Sequence, residues 1–199
     1  IAILGMGSSP GITNVMAGYG ASKLEKIQKV EIRTGSAILG GKSSAFEVPY
    51  SIRTIIDEFT IPPVVLREGR IKKLPPLSRK EELEFPSPIG KVEGYYTIHS
   101  ELATLPKTLG KGVKDMDFIV AFPREFTSVM EILIKLGLAE KKPINVKGTR
   151  VVPYEFLASA LAASGSGDEI DDADALRVDL YGESGSKKVK LRYECIVSS

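Results

Sequence analysis

The stretch VVLREGRIKKL, residues 64–74, predicts a β-hairpin, because two short segments that suit strands flank the turn pair Glu68-Gly69. Further strand patterns follow along the chain: Glu81–Phe85, Lys91–His99, Asp117–Phe122, Ile144–Lys147, Ala175–Tyr181 and Lys187–Val197. Strands joined mainly by hairpins are typical of an α+β domain. We therefore expect a mixed, largely antiparallel sheet flanked by helices.

Apolar residues recur at helical spacing in Ile12–Lys23, Ile52–Phe59, Glu125–Leu136 and Pro153–Ala163, with a shorter helical turn at Ser100–Leu105. Ile1–Leu4 is predicted to be a buried strand before the first helix, and Lys29–Gly35 another strand. Small residues in Gly35–Ser44 predict a loop over a ligand, and the acidic run Asp168–Asp174 predicts a linker. The chain opens inside an apolar stretch, which we interpret as the start of a piece of a longer protein.

Composition excludes several classes of function. The 199 residues carry a net charge of only +2, from 27 basic and 25 acidic residues, with no basic stripe for nucleic acid. Cys195 and His99 are the only residues of their types, so we expect neither a disulfide nor a metal site of His and Cys ligands. No apolar run is long enough to span a membrane, and a reducing cytoplasm is the expected location.

The turn Gly5-x-Gly7-x-x-Pro10 resembles a dinucleotide-binding fingerprint, but proline replaces the third glycine and no further βαβ units follow. We favour instead a late strand of a nucleotide-binding domain. Loops beyond the carboxyl ends of such strands line the ligand crevice, where Ser8, Ser9 and Asn14 suit a carboxylate or an amide. Alternatively, Ser9 only caps the helix and Asn14 faces solvent.

The best candidate for proton transfer is His99, the only side chain whose unperturbed pKa lies near neutrality. It stands where a strand passes into a helical turn, and Glu101 can orient its imidazole. The alternative is a structural histidine bonded to backbone. Arg33, Arg53 and Arg124 are candidates to hold a carboxylate in two parallel hydrogen bonds, or else solvated surface residues.

Four segments appear in the order typical of one enzyme family: GSSPGITN (7–14), PYSIRTIIDEFTIPPVVLREGRIKKLPPLS (49–78), GYYTIHSELATLPKTL (94–109) and IVAFPREF (119–126). Together they resemble the saccharopine dehydrogenase family, which includes lysine dehydrogenases. The resemblance implies residues 1–35 as the last strand and helix of a truncated Rossmann domain leading into the next domain. Residues 36–199 would be a substrate-binding and dimerisation domain, similar to the C-terminal domain of glyceraldehyde-3-phosphate dehydrogenase.

The resemblance also implies an activity: NAD(P)-dependent oxidation or reduction of the C–N bond of an amino acid, saccharopine or lysine, through an imine. NAD or NADP would be bound mainly outside this chain, and the open sheet would pair two subunits. Two alternatives stay open, a family member without catalysis that serves as a binding or dimerisation module, and reduction of a semialdehyde or cyclic imine.

Under this hypothesis each candidate residue has a role. The catalytic residues are His99 and Glu101. The substrate-binding residues are Ser8, Ser9, Asn14, Tyr50, Ser51, Thr104 and Arg124, and the cofactor-binding residues are Gly7, Pro10 and Gly11.

Overall fold

In the computed structural model the described residues are 5–40, 50–164 and 171–198. Their helices are α1 Ile12–Ser22, α2 Ile52–Thr60, α3 Glu101–Thr108, α4 Arg124–Lys135 and α5 Pro153–Ser164. Their strands are β1 Lys26–Gly40, β2 Val64–Arg67, β3 Arg70–Lys73, β4 Glu81–Glu84, β5 Lys91–Tyr96, β6 Asp115–Phe122, β7 Ile144–Val146, β8 Thr149–Val151, β9 Asp171–Ser184 and β10 Lys187–Ser198. The predicted strand Ile1–Leu4 lies outside the described residues.

Eight of these strands form one sheet, and β7 and β8 form a separate hairpin. The order β10-β9-β1-β6-β2-β3 runs across the sheet, with β5 also paired to β6 and β4 to β5. Only β1 and β6 pair in parallel among the described strands, and the other pairs are antiparallel. The predicted α+β class with a largely antiparallel sheet is confirmed.

The larger core lies between the helices and one face of the sheet. Helix α2 shows how the sequence builds it, because Ile52, Ile55, Ile56 and Phe59 recur at helical spacing and are all buried. Each such side chain contributes roughly 1.5–3 kcal/mol on burial. The helix ends at Thr60 because the following Pro62-Pro63 pair disfavours helical backbone before it.

A smaller core lies on the opposite face, which carries no helix among the described residues. There Leu83 and Phe85 of the β4–β5 region pack against Val65, Ile119 and Ala175. Phe85 lies so close to Gly35 that a Cβ at that glycine would be 2.8 Å from its ring. Because position 35 has no side chain, the ring of Phe85 can pack directly against strand β1.

Two loop predictions are wrong in the described residues. Gly35–Gly40 continues strand β1, where Gly35 pairs with Ala175 and Ser36 with Asp174 of β9. Asp171–Asp174 therefore belongs to β9 and not to a linker. These small and acidic residues form strands because pairing between β1 and β9 satisfies the hydrogen-bonding groups of their backbone. The remainders of both predicted loops, 41–44 and 168–170, lie outside the described residues.

The other differences are smaller. Helix α3 extends to Thr108, and β8, which the sequence pattern did not indicate, completes a hairpin with β7. The predicted domain boundary after residue 35 stays a prediction, and β1 runs through that position without a break. No described helix combines the length and the apolar character needed to cross a membrane.

Candidate active site

A cleft of about 630 Å³ opens on the helix-covered face of the sheet. This volume suits a small organic ligand. Its walls come from the glycine-rich turn, the end of β1, helix α2, the β5–α3 connection, the end of β6 and the start of β9. The lining residues on which the site depends are Gly7, Ser8, Ser9, Pro10, Tyr50, Asp57, Glu58, His99 and Asp174.

The turn Gly7–Gly11 is closed by its own backbone. The Gly7 N–H donates to the Pro10 carbonyl at 2.9 Å, and the Ile12 N–H donates to the Gly7 carbonyl at 3.0 Å. Gly11 has φ 135°, and a Cβ there would lie 2.2 Å from the Gly7 oxygen, so only glycine fits. The amides of Gly7 and Ile12 are therefore already paired within the protein and are not free to bind a pyrophosphate.

The carboxylate of Glu101 lies behind the cleft wall and is fully buried, at 0% exposure. It accepts hydrogen bonds from Thr13 Oγ1 at 2.6 Å and Ser9 Oγ at 3.0 Å, and its Oε2 bonds His99 Nδ1. Burial alone raises the pKa of Glu101, but the bonds and charge of His99 and the bond from Thr13 outweigh it and hold that pKa below its ordinary value. The carboxylate is therefore kept ionised.

The imidazole of His99 is fixed on two sides. Its ring stacks on Phe118 with centroids 3.8 Å apart and an interplanar angle of 1°. Because Nδ1 is bonded to Glu101, Nε2 is the ring nitrogen left for a ligand in the cleft. An ionised carboxylate at Nδ1 sets the tautomer and stabilises the imidazolium, as in the histidine–aspartate pair of serine proteases. The pair can therefore accept and return a proton.

A second buried carboxylate, Glu58 of α2, lines the same cleft. Its side chain accepts a hydrogen bond of 2.6 Å from the hydroxyl of Tyr50. Burial raises the pKa of Glu58 to about 7, although the Tyr50 bond and the charge of His99 oppose the shift. Burial, together with the neighbouring Glu58 charge, also raises the pKa of Tyr50. Burial and then the charge of Asp172 raise the pKa of Asp174.

The structure brings together about half of the predicted site residues: Gly7, Ser8, Ser9, Pro10, Tyr50 and His99 line the cleft, with Glu101 bonded to His99 behind it. Ser9 bonds Glu101 instead of capping α1, whose N-cap is Gly11. Asn14 Oδ1 accepts the Gly11 N–H at 3.0 Å, and Thr104 donates to the Ser100 carbonyl at 3.2 Å. Asn14, Thr104, Ser51 and Gly11 are not among the lining residues.

None of the three candidate arginines reaches this cleft. Arg33 is buried on the opposite face with Asp117, and Arg53 pairs with the exposed Glu155 at 2.6 Å. Arg124 is exposed and borders a different groove, beside Lys91 and Glu125. None of the three is therefore placed to bind a ligand in this cleft, and the assignment of Arg124 to a substrate carboxylate stays a prediction.

Sequence reasoning missed the acidic residues of the cleft. For Glu58 a signal existed, since it follows Ile55 by three positions and precedes Phe59 on the buried side of α2. A charged residue at such an apolar position indicates a special environment. For Asp174 no local signal existed, because its place depends on pairing with Ser36 across most of the chain.

The fold and the cleft define a class: an α+β domain with an open, largely antiparallel sheet and a histidine–glutamate pair beside a polar cavity. Residues 7–198 match the family model of the saccharopine dehydrogenase C-terminal domain. The chain therefore belongs to that family, as the ordered sequence segments predicted.

Two curated relatives are similar to most of the chain. Carboxyaminopropylagmatine dehydrogenase of Synechocystis sp. is 26% identical over 162 residues, which cover 81% of this chain and 40% of the relative. Carboxynorspermidine synthase of Vibrio alginolyticus is 26% identical over 161 residues, covering 80% of this chain and 38% of the relative. The chain thus spans about two fifths of the length of these relatives.

A solved structure, apo saccharopine dehydrogenase (L-Glu forming) from Saccharomyces cerevisiae, shares the fold with a TM-score of 0.71. The match covers 95% of this chain and 58% of that chain at 11% identity. At family level these proteins are oxidoreductases, which agrees with the class of activity expected from the sequence.

Proposed function

We propose that the chain is the substrate-binding part of an NAD(P)-dependent oxidoreductase that acts on a C–N bond through an imine. The observation that carries the proposal is the pair of His99 and Glu101 at the wall of the cleft. Oxidation of an amine to an imine needs a group that takes the proton from nitrogen, and hydrolysis of the imine needs a group that activates water. His99 is suited to both steps.

In the proposed oxidation, the substrate carbon loses hydride and its nitrogen loses a proton, which His99 Nε2 accepts. His99 returns that proton to the imine nitrogen, and the neutral imidazole then takes a proton from water as the water oxygen bonds the carbon. That proton passes from His99 to the nitrogen, the C–N bond breaks as the hydroxyl proton returns to His99, and an amine and a carbonyl compound are released. The reverse sequence forms the amine. The nicotinamide, when bound, accepts or supplies the hydride.

The phosphate-binding part of the cofactor site would lie outside these residues, because the amides of Gly7, Gly11 and Ile12 are already paired within the protein. Two observations support a neighbouring domain at α1. The chain spans only about two fifths of its relatives, and the side chains of Ile12, Val15 and Tyr19 on α1 are exposed. From Gly7, Ser8, Ser9 and Pro10, the chain itself would contribute a wall beside the nicotinamide.

For the substrate we propose a carboxylated diamine or polyamine in preference to lysine or saccharopine. The names of the two curated relatives support this choice, since they refer to an agmatine and a norspermidine derivative. A chain of this kind presents an amine nitrogen to His99 and further cationic groups to the rest of the cleft.

We also propose that two copies pair through the open sheet at β10. In the sheet of the described residues, β10 has a neighbour on one side only, and its free edge is twelve residues long. An exposed edge of that length is a template for pairing with another chain. A monomer mass for the full-length protein in light scattering at micromolar concentration would contradict this proposal. The cytoplasmic location stays a prediction.

The activity is tested by following reduction of NAD and of NADP by the full-length protein. The panel holds lysine, saccharopine, carboxynorspermidine and carboxyaminopropylagmatine. We expect NAD or NADP to be reduced in the presence of at least one of the two polyamine derivatives. No reduction with any of the four would favour the alternative of a binding module without catalysis.

Replacement of His99 tests the acid–base role. We expect His99→Ala to lower kcat about 10²- to 10⁴-fold, because general acid–base catalysis contributes on that scale. Glu101→Gln keeps an acceptor but removes the charge, and we expect a smaller loss. The control is Lys107→Ala, an exposed position on α3, which should retain full activity. Full activity in His99→Ala would remove the assignment.

A further inference from the structure

Glu58 occupies a position from which it can act on any ligand that reaches His99. Both residues line the one cleft, Glu58 from α2 and His99 from the β5–α3 connection. The charge of His99 is close enough to lower the pKa of Glu58. A substrate bound at His99 therefore lies within electrostatic range of the Glu58 carboxylate.

The carboxylate of Glu58 has few partners among the described residues. Its residue is 6% exposed, and among the described residues its hydrogen-bond partner is the Tyr50 hydroxyl, on Oε2. No described residue donates a hydrogen bond to Oε1, and no described lysine or arginine forms an ion pair with Glu58. Burying an unpaired carboxylate is costly, so a cationic partner at Oε1 would be strongly favoured.

The charges around the cleft also favour a cationic ligand. Its charged lining residues are Asp57, Glu58 and Asp174, with His99, and no described lysine or arginine lines it. Asp57 already has a partner, Lys141, at 3.0 Å. A second substrate carboxylate at this end would be repelled, whereas an ammonium or guanidinium would be attracted.

We infer that Glu58, held by the Tyr50 hydroxyl, binds a cationic end of the substrate and selects it over a neutral or anionic end. The inference rests on the proposed function for the statement that the cation belongs to a substrate. Tyr50 acts as a positioning residue, since its hydroxyl fixes Oε2 and leaves Oε1 for the ligand. Glu58 is thereby a specificity residue and His99 the proton carrier.

Calorimetry with a cationic and a neutral probe of equal length tests the subsite without turnover. The probes are butylamine, which is an ammonium at pH 8, and butan-1-ol, titrated into the full-length protein at pH 8, above the pKa of Glu58. We expect wild type to bind butylamine about tenfold more tightly, since a hydrogen bond to a charged group is worth roughly that factor. In Glu58→Gln that preference should fall to below about twofold.

The control is Glu125→Gln, which removes the same charge from an exposed position on α4 outside the cleft. It should keep the full preference for butylamine. Equal binding of both probes by wild type, or an unchanged preference in Glu58→Gln, would overturn the inference.

Kinetics separate the proposed role from proton transfer. With a substrate that ends in an ammonium, Glu58→Gln should raise KM about tenfold and leave kcat nearly unchanged. A large, equal loss of kcat for a substrate ending in ammonium and for its analogue ending in methyl would make Glu58 an acid–base group and overturn the inference. Preference for butylamine over butan-1-ol without any nicotinamide reduction would refute the proposed function and leave the cation subsite standing.

Discussion

Two buried carboxylates, Asp117 on one face of the sheet and Glu58 on the other, have pKa values shifted in opposite directions. On the face without described helices, Asp117 is 1% exposed and contacts Arg33 at 2.7 Å and Arg67 at 2.5 Å. Burial raises the pKa of Asp117, but the two guanidinium groups outweigh it and hold that pKa below its ordinary value. On the helix-covered face, Glu58 has a phenol as its partner, and burial raises its pKa to about 7.

The difference shows how to separate a structural buried charge from one that is available to a ligand. Removing a carboxylate from water costs several kcal/mol in either place. Asp117 recovers that cost from cations of the same chain, so its charge is internally balanced. Glu58 has no such cation among the described residues, so its charge is left for a molecule that enters the cleft.

We expect the largest effect on stability from removing Asp117, whose charge is balanced by two arginines. Asp117→Ala leaves Arg33 buried without its main partner, and loss of one member of a buried pair costs about 3–5 kcal/mol. Urea unfolding of the purified protein measures this loss. Glu82→Ala is the control, because Glu82 forms an exposed pair with Lys91 and should change stability by less than about 1 kcal/mol. Equal, small effects in both variants would refute the comparison.

The next effect has the opposite sign. Because the pKa of Glu58 in the folded protein, about 7, exceeds the unfolded value of about 4.3, the folded state holds the proton more tightly. Its stabilising contribution is present below about pH 4.3 and is lost as the pH rises towards 7. Glu58→Gln removes this loss, so at pH 8 the variant should be more stable than wild type by up to about 3 kcal/mol.

Thermal unfolding at pH 5 and pH 8 measures that difference. The stability gained in Glu58→Gln should increase with pH, because Glu58 is charged at the higher pH and the groups that face it are acidic or weakly basic. These groups are Tyr50, Asp57, His99 and Asp174. Glu125→Gln, at an exposed site, should give no such trend. A destabilisation of Glu58→Gln that does not change with pH would contradict the unbalanced charge.

The smallest effect sharpens the role of Tyr50. Tyr50→Phe removes the one hydrogen bond that Glu58 receives from a described residue, at 2.6 Å. We expect a loss of about 1–2 kcal/mol at pH 8, where that bond is made to a charged group. In the Glu58→Gln background the same change should cost less, because the acceptor is then neutral. Equal costs in both backgrounds would show that the two side chains are not coupled.

Local patterns predicted the fold well where neighbouring residues determine it. The period of Phe126, Met130 and Leu133 and the turn at Glu68-Gly69 gave helix α4 and the β2–β3 hairpin within one or two residues of their observed ends. The prediction for strand β1 was wrong beyond Gly35, because the small residues there favour a loop when only their neighbours in sequence are considered. They form a strand through pairing with β9, which lies more than a hundred residues away in sequence.

The same division holds for the site. His99 and Glu101 are two positions apart, so their contact could be predicted from the chain alone. The bonds from Ser9 and Thr13 to Glu101, and the meeting of Glu58 with His99, depend on how helices pack on the sheet. No local pattern contains that information, and the pairing of Arg33 with Asp117 and of Arg53 with Glu155 depends on it as well.

Glu101 joins three segments at a single side chain, since the glycine-rich turn, helix α1 and the imidazole all bond to it. Any movement of Ser9 or Thr13 is therefore transmitted to the ring of His99 over one carboxylate. If a neighbouring domain docks on α1, as proposed above, its contact would lie only two hydrogen bonds from the imidazole of His99. The orientation of the proposed proton carrier would then depend on that contact.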